Sequence, residues 1–105
     1  MITSGEGKYK VFLQEKHIGK DRLYILTGGE QPHLGGVVLC RPDEQTKVIS
    51  HGTHKDHVVL TPLAEHACTK YNTTIIAVGG IHINNATQEE IEQIQKNCKE
   101  LESCI

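Results

Sequence analysis

Tryptophan is absent from the 105 residues, methionine occurs once, and the aromatic side chains are only Phe12, Tyr9, Tyr24 and Tyr71. With 11 basic residues against 13 acidic ones, no basic stripe interleaves with aromatics, so no nucleic-acid partner is expected. No apolar run approaches the roughly 18 residues of a membrane span, and the opening MITSGEGKYK has no apolar h-region. The expectation is a cytoplasmic protein with no membrane partner. The cysteines Cys40, Cys68, Cys98 and Cys104 never form C-x-x-C, which argues against a zinc ribbon or a thioredoxin-type pair. They read as small buried apolar residues, Cys104 in the tail excepted. Neither G-x-x-x-x-G-K-[ST] nor G-x-G-x-x-G occurs, so no nucleotide motif is defined. No serine sits in a nucleophile elbow and no cysteine in a polar glycine turn beside a histidine, so nucleophilic hydrolysis has no support. Glu30 with His33 or His82 could exchange protons, but nothing specifies a substrate.

What the chain does have is histidine, seven residues, and glycine, ten. Three loops combine the two: Gly28-Gly29-Glu30-Gln31-Pro32-His33, His51-Gly52-Thr53-His54, and Gly79-Gly80-Ile81-His82. Brought to one sheet edge or across a subunit interface, they would expose backbone N–H groups and imidazoles to an anion or a metal. The last loop follows Ile75-Ile76-Ala77-Val78, an apolar, β-branched run that predicts a central strand covered on both faces. Beyond it, Thr87 and Glu90 form the S/T-x-x-E box of a helix start, whose dipole end offers a further anion-favouring feature.

In chain order, residues 1–7 are small and polar and are expected to be flexible, with one α+β domain over residues 8–105. Alternating Tyr9, Val11 and Leu13, the turn Ile18-Gly19-Lys20-Asp21 and the apolar run 23–26 predict an antiparallel hairpin. A third strand is expected over residues 34–41 and a short edge strand over 47–50. Leu60, Ala64, Ala67 and Tyr71 recur at helical spacing within residues 58–71. Two helix starts are compatible with Pro62: Thr53 as cap with Pro62 as a kink, or Thr61 as cap with Pro62 in the first helical position. Asn72 is a helix stop. The final helix spans residues 88–102, with Ile91, Ile94, Cys98 and Leu101 as its narrow apolar stripe. The predicted fold is therefore α+β, a mainly antiparallel sheet of about five strands with two helices packed on one face. Phe12, Tyr24 and Leu26 are candidates for the opposite face, which favours a homo-oligomer.

A divalent metal site would draw on His51, His54 and His57 together with His33 or His82. Residues six apart on a helix point about 120° from one another, so at most two of the first three share an ion. The alternative reading makes His51, His54 and His57 a polar surface loop and His66 a solvent-side residue. His82 is either a ligand or a core histidine bonded to a backbone carbonyl. A His-rich metal-binding module and a structural assembly factor both remain compatible with these residues.

The segments GGEQPHLGGVVLC (Gly28 to Cys40), His51 to Asp56, and GGIHINNATQEEI (Gly79 to Ile91) resemble the LpdD-like proteins, and the likeness runs from about Lys8 to Leu101. Those are small prenylated-flavin chaperones and accessory subunits of gallate-type decarboxylases. The resemblance implies a non-catalytic protein that binds reduced prenylated FMN, made by a separate flavin prenyltransferase, and delivers it to a prenylated-flavin-dependent aromatic acid decarboxylase. Carried over by position, it makes Gly28, Gly29, His33, Gly35, His51, His54, Gly79, Gly80 and His82 the cofactor-binding candidates. His51, His54 and His82 are the metal candidates. Pro62 inside the helix and the extra His57 and His66 depart from the family pattern.

Overall fold

The computed structural model describes residues 1–50 and 56–105. Strands β1 (Ile2–Ser4), β2 (Val11–Ile18), β3 (Asp21–Gly29), β4 (Gly36–Cys40) and β5 (Lys47–Ser50) precede helix α1 (His57–Tyr71), strand β6 (Ile75–His82) and helix α2 (Gln88–Ser103). They form one six-stranded sheet in the order β1-β2-β3-β6-β4-β5. The α+β class and the two helices agree with the sequence reading. The sheet has six strands rather than about five, and it is mixed, because β6 runs parallel to β3 while its other neighbour, β4, is antiparallel.

Contacts at the end of α1 explain that parallel pair. Asn72 adopts left-handed φ/ψ of 50° and 51°, and its N–H bonds to the Cys68 carbonyl at 2.9 Å, closing the helix. Thr73 and Thr74 then meet the start of β3: the Thr73 hydroxyl donates to Asp21 Oδ1 at 2.5 Å, and the Thr74 N–H donates to the same oxygen at 3.2 Å. These bonds, the Thr73 one foremost, hold the Asp21 carboxyl below its ordinary range. Strand β6 therefore sets out beside the first residue of β3 and must run in its direction. It occupies the middle of the sheet, as its apolar run predicts, but it is not covered on both faces: the helices bury Ile75 and Ala77, whereas Ile76 on the other face is exposed.

The two helices cover one sheet face, where Tyr24, Leu26, Val38 and Ile75 pack against Leu60, Leu63 and Leu101. Tyr24 and Leu26 thus belong to the helix-covered core, not to the opposite face expected for them, whereas Phe12 does lie on the open face. Residues 23–26 are all apolar, so no alternation fixed their phase. Register with Glu15 and Leu13 on β2 decided it. The Tyr24 hydroxyl donates to Glu15 at 3.1 Å, and burial together with that carboxylate pushes its pKa to about 12.

Helix α1 begins at His57, between the two expected starts, and keeps Pro62 in its interior. Ile2–Ser4, within the small polar opening segment, pairs with Leu13, Phe12 and Val11 as an edge strand. Helix α2 carries the complete capping box: Thr87 Oγ1 accepts from the Glu90 N–H at 3.2 Å, and Glu90 Oε1 accepts from the Thr87 N–H at 3.0 Å. Lys8, 2.6 Å from the other Glu90 oxygen, the Thr87 N–H and Tyr9 together lower the Glu90 carboxyl to about 2.

Gly79 has φ of +134°, and a Cβ there would stand 1.9 Å from the Leu26 carbonyl oxygen. Gly79→Ala is expected to cost more than about 2 kcal/mol, read from urea denaturation, because both the dihedral and the neighbouring backbone oppose it. Thr87→Ala should cost about 1 kcal/mol by the same measurement. Glu90 titrates at about 2 in the folded chain against an ordinary 4.5, so its stabilising effect is full above pH 4.5 and fades as the pH falls toward 2. The stability gap between wild type and Glu90→Gln should close over that window.

Candidate functional site

The end of β6 gathers three parts of the chain. The loop after β3 returns to it through the Glu30 and Gln31 N–H groups, which donate to the His82 carbonyl at 2.8 and 3.2 Å. Gly35 N–H donates to the Gly79 carbonyl at 2.9 Å. The Asn84 N–H, just past the strand, donates to the Glu30 carboxylate at 3.0 Å. These bonds hold His33 beside His82, with ring centroids 6.2 Å apart and planes at 83°. His33 Nδ1–H donates to the Gln31 carbonyl at 3.2 Å, and His82 Nε2–H donates to the Asn84 side-chain oxygen at 3.1 Å.

Asp56, 7% exposed, joins this knot to the start of α1. It stands in the cap position but does not cap the helix. Its Oδ1 accepts instead from the Ile81 N–H at 2.9 Å, and its Oδ2 lies 3.2 Å from His33 Nε2. The second approach is off line for a hydrogen bond, so it acts as an ion pair when the ring carries two protons. A β-strand N–H that would otherwise face low dielectric is thereby satisfied by a charge-assisted bond. The sequence held a signal for Asp56, an acidic residue directly before an apolar helix, but its partner Ile81 lies 25 positions away.

The glycines serve chain-to-chain approach. A Cβ at Gly28 would meet the Lys10 carbonyl oxygen at 2.5 Å, at Gly29 the His82 oxygen at 2.5 Å, and at Gly35 the Asp56 Oδ2 at 1.9 Å. At Gly80 it would meet His33 Nε2 and the His33 oxygen, both at 2.9 Å. The space freed by each missing side chain is filled by the protein itself. The Gly29 and Gly35 N–H groups are also spent on the Lys10 and Gly79 carbonyls. The expected anion-favouring end of α2 is closed as well, since its capping box is complete and its first turn carries Glu89 and Glu90.

Open space lies elsewhere. A cavity of about 310 Å³ opens between the start of α1, the end of β6 and the first half of α2. Its wall is aliphatic, with Val58, Val59, Ile81, Ile83, Ala86, Ile91 and Ile94, and its polar lining is Asp56, His82 and Gln95. No lysine or arginine is among the described residues that line it. Val58 and Ile91 leave 45% and 40% of their surface exposed. Of the candidates read from the sequence, His82 lines the chamber and His33 stands against His82, whereas His51 and His54 lie outside the described residues. Among the described residues no group of three His, Cys, Asp or Glu is placed to hold a metal. Sequence reasoning missed the aliphatic wall because Val58 on α1, Ile83 just past β6 and Ile91 on α2 come from separate parts of the chain. Burial keeps the Cys98 and Cys68 thiols protonated, with pKa values near 12 and 11, the latter helped by Cys40.

The site is thus a largely aliphatic chamber in a small α+β domain, lined at its polar side by His82 and the buried Asp56. A family model described as the prenylated flavin chaperone LpdD-like domain matches residues 5–105, so the chain belongs to that family and is a chaperone rather than an enzyme. It is 29% identical over 95 residues to Protein LpdD of Lactiplantibacillus plantarum, an alignment that covers 86% of this chain and 70% of that protein. No helix among the described residues is long and apolar enough to cross a membrane.

Asp56→Ala should lower stability by about 1–3 kcal/mol, because the Ile81 N–H loses its acceptor. Hydrogen exchange of the Ile81 amide should accelerate in the same variant. Unchanged exchange would mean that this bond does not hold the knot together.

Proposed function

We propose that this chain binds reduced prenylated FMN, made by a separate flavin prenyltransferase, and carries it to a prenylated-flavin-dependent aromatic acid decarboxylase. The observation that carries the reading is the aliphatic chamber at the end of β6. At about 310 Å³ it lies at the low end of the roughly 300–1,000 Å³ usual for small-molecule pockets. It suits the isoprenoid-derived ring and the benzenoid edge of the cofactor rather than the whole phosphorylated molecule.

Val58, Val59, Ile81, Ile83 and Ile94 would hold that apolar end. The Asp56 carboxylate disfavours a phosphate inside, so the ribityl phosphate faces outward. His82 and Gln95 supply polar contacts where the chamber wall is not aliphatic. The bound cofactor supplies decarboxylation chemistry only in the recipient enzyme. Here the chain's part is to shelter an apolar, reduced ring system from water and release it. No described observation favours a metal-binding reading over this one.

The reading is tested by producing the chain together with a flavin prenyltransferase and purifying it without oxygen. Wild type should retain flavin absorbance and activate an apo-decarboxylase. Ala86→Phe, which fills the chamber, should retain at least about tenfold less. Unprenylated FMN should bind at least about tenfold more weakly, since the added isoprenoid carbons contribute about 0.8 kcal/mol for each buried CH₂. A wild-type protein that stays colourless overturns the proposal.

A further inference from the structure

The sheet face opposite the helices carries two apolar rows that cross five strands. One reads Lys16, Leu23, Ile76, Leu39, Lys47 and the other Gln14, Ile25, Val78, Val37, Ile49, each neighbour being a register partner of the next. Phe12 and Thr27 extend the patch at one end. Among the described residues no helix packs on this face, and Ile49 is 70% exposed and Ile76 36%. A monomer rarely leaves so continuous an aliphatic surface to water.

We propose that this face binds a second copy of the chain, sheet against sheet, about a two-fold axis that lies between the two rows and perpendicular to the strands. Area supports a dimer. Five strands about 4.8 Å apart, with rows about 6.6 Å apart and a side-chain margin, give a footprint of roughly 500 Å² per copy and about 1,000 Å² for two. That is where specific interfaces begin.

Charge fixes the axis. A two-fold parallel to the strands would set Lys16 against the partner's Lys47, an unfavourable meeting at the rim. The perpendicular axis sets each row against the other row of the partner. Leu23 then faces the partner's Ile25, Ile76 the partner's Val78, and Leu39 the partner's Val37. Lys16 meets the partner's Gln14, and Lys47 lays its aliphatic stem across the partner's Ile49 with its ammonium in water. No like charges face each other, and the lysines close both ends of an apolar centre.

Sedimentation equilibrium of the full chain at micromolar concentration tests this. Wild type should show twice the 11.6 kDa chain mass. Ile49→Lys, a change at an exposed edge position that leaves folding intact by circular dichroism, should raise the dimer dissociation constant at least about tenfold, because it faces Lys47 of the partner subunit. Ile49→Glu should weaken the dimer less than Ile49→Lys, since its charge is opposite. Ile76→Asp at the centre should give monomers. A monomeric wild type overturns the proposal, including the case in which the face serves a different protein. Equal weakening by Ile49→Lys and Ile49→Glu, or a dimer indifferent to all three variants, overturns it too.

Discussion

Everything at the functional end of this molecule depends on β6 lying between β3 and β4. Its start is fixed by Thr73 and Thr74 donating to Asp21, and its end by the Glu30 and Gln31 amides donating to the His82 carbonyl. Between those anchors, Gly79 passes so close to the Leu26 carbonyl that no side chain fits. A central strand pinned at both ends has no freedom to slip, and a slip of one residue would turn its buried residues to the open face. The positions of His82, Ile81 and Ile83 follow from that constraint.

Asp56 converts the strand's position into a chamber. Its one carboxylate bonds the Ile81 amide, approaches His33 and opens α1, so three separate segments meet at a buried charge. Such a group is costly to bury alone and stabilises only when its contacts are complete. The chamber beside it is correspondingly asymmetric, aliphatic over most of its wall and acidic at one point. That asymmetry suits a ligand with an apolar ring end and a charged end kept outside. The Cys68 and Cys98 thiols play no part in it, being buried and held protonated.

Much of the architecture was legible in the chain. The strand at residues 75–78, the Asn72 stop and the Thr87–Glu90 box are local patterns whose physics needs few distant partners, and all three are present as expected. Of the three glycine-histidine loops, two meet near β6 through His33 and His82, and the third, His51 to His54, lies outside the described residues. The role of the glycines was not legible. A double glycine admits either a ligand or another stretch of backbone, and here backbone and side chains of the same chain occupy the room. The phase of residues 23–26 was equally hidden, because a continuous apolar run has no alternation.

By itself, then, the sequence determined the class of fold, the helix boundaries at Asn72 and Thr87, and the family through the motif around His82. Those depend on hydrophobic periodicity, capping chemistry and residue identity, all of which act within a few positions. Only the tertiary structure decided the parallel pairing of β3 with β6, the partner of Asp56, the aliphatic chamber and the bare apolar rows of the open sheet face. Each of these joins residues tens of positions apart, and their meeting is set by register and by where α1 returns the chain, which no local pattern encodes.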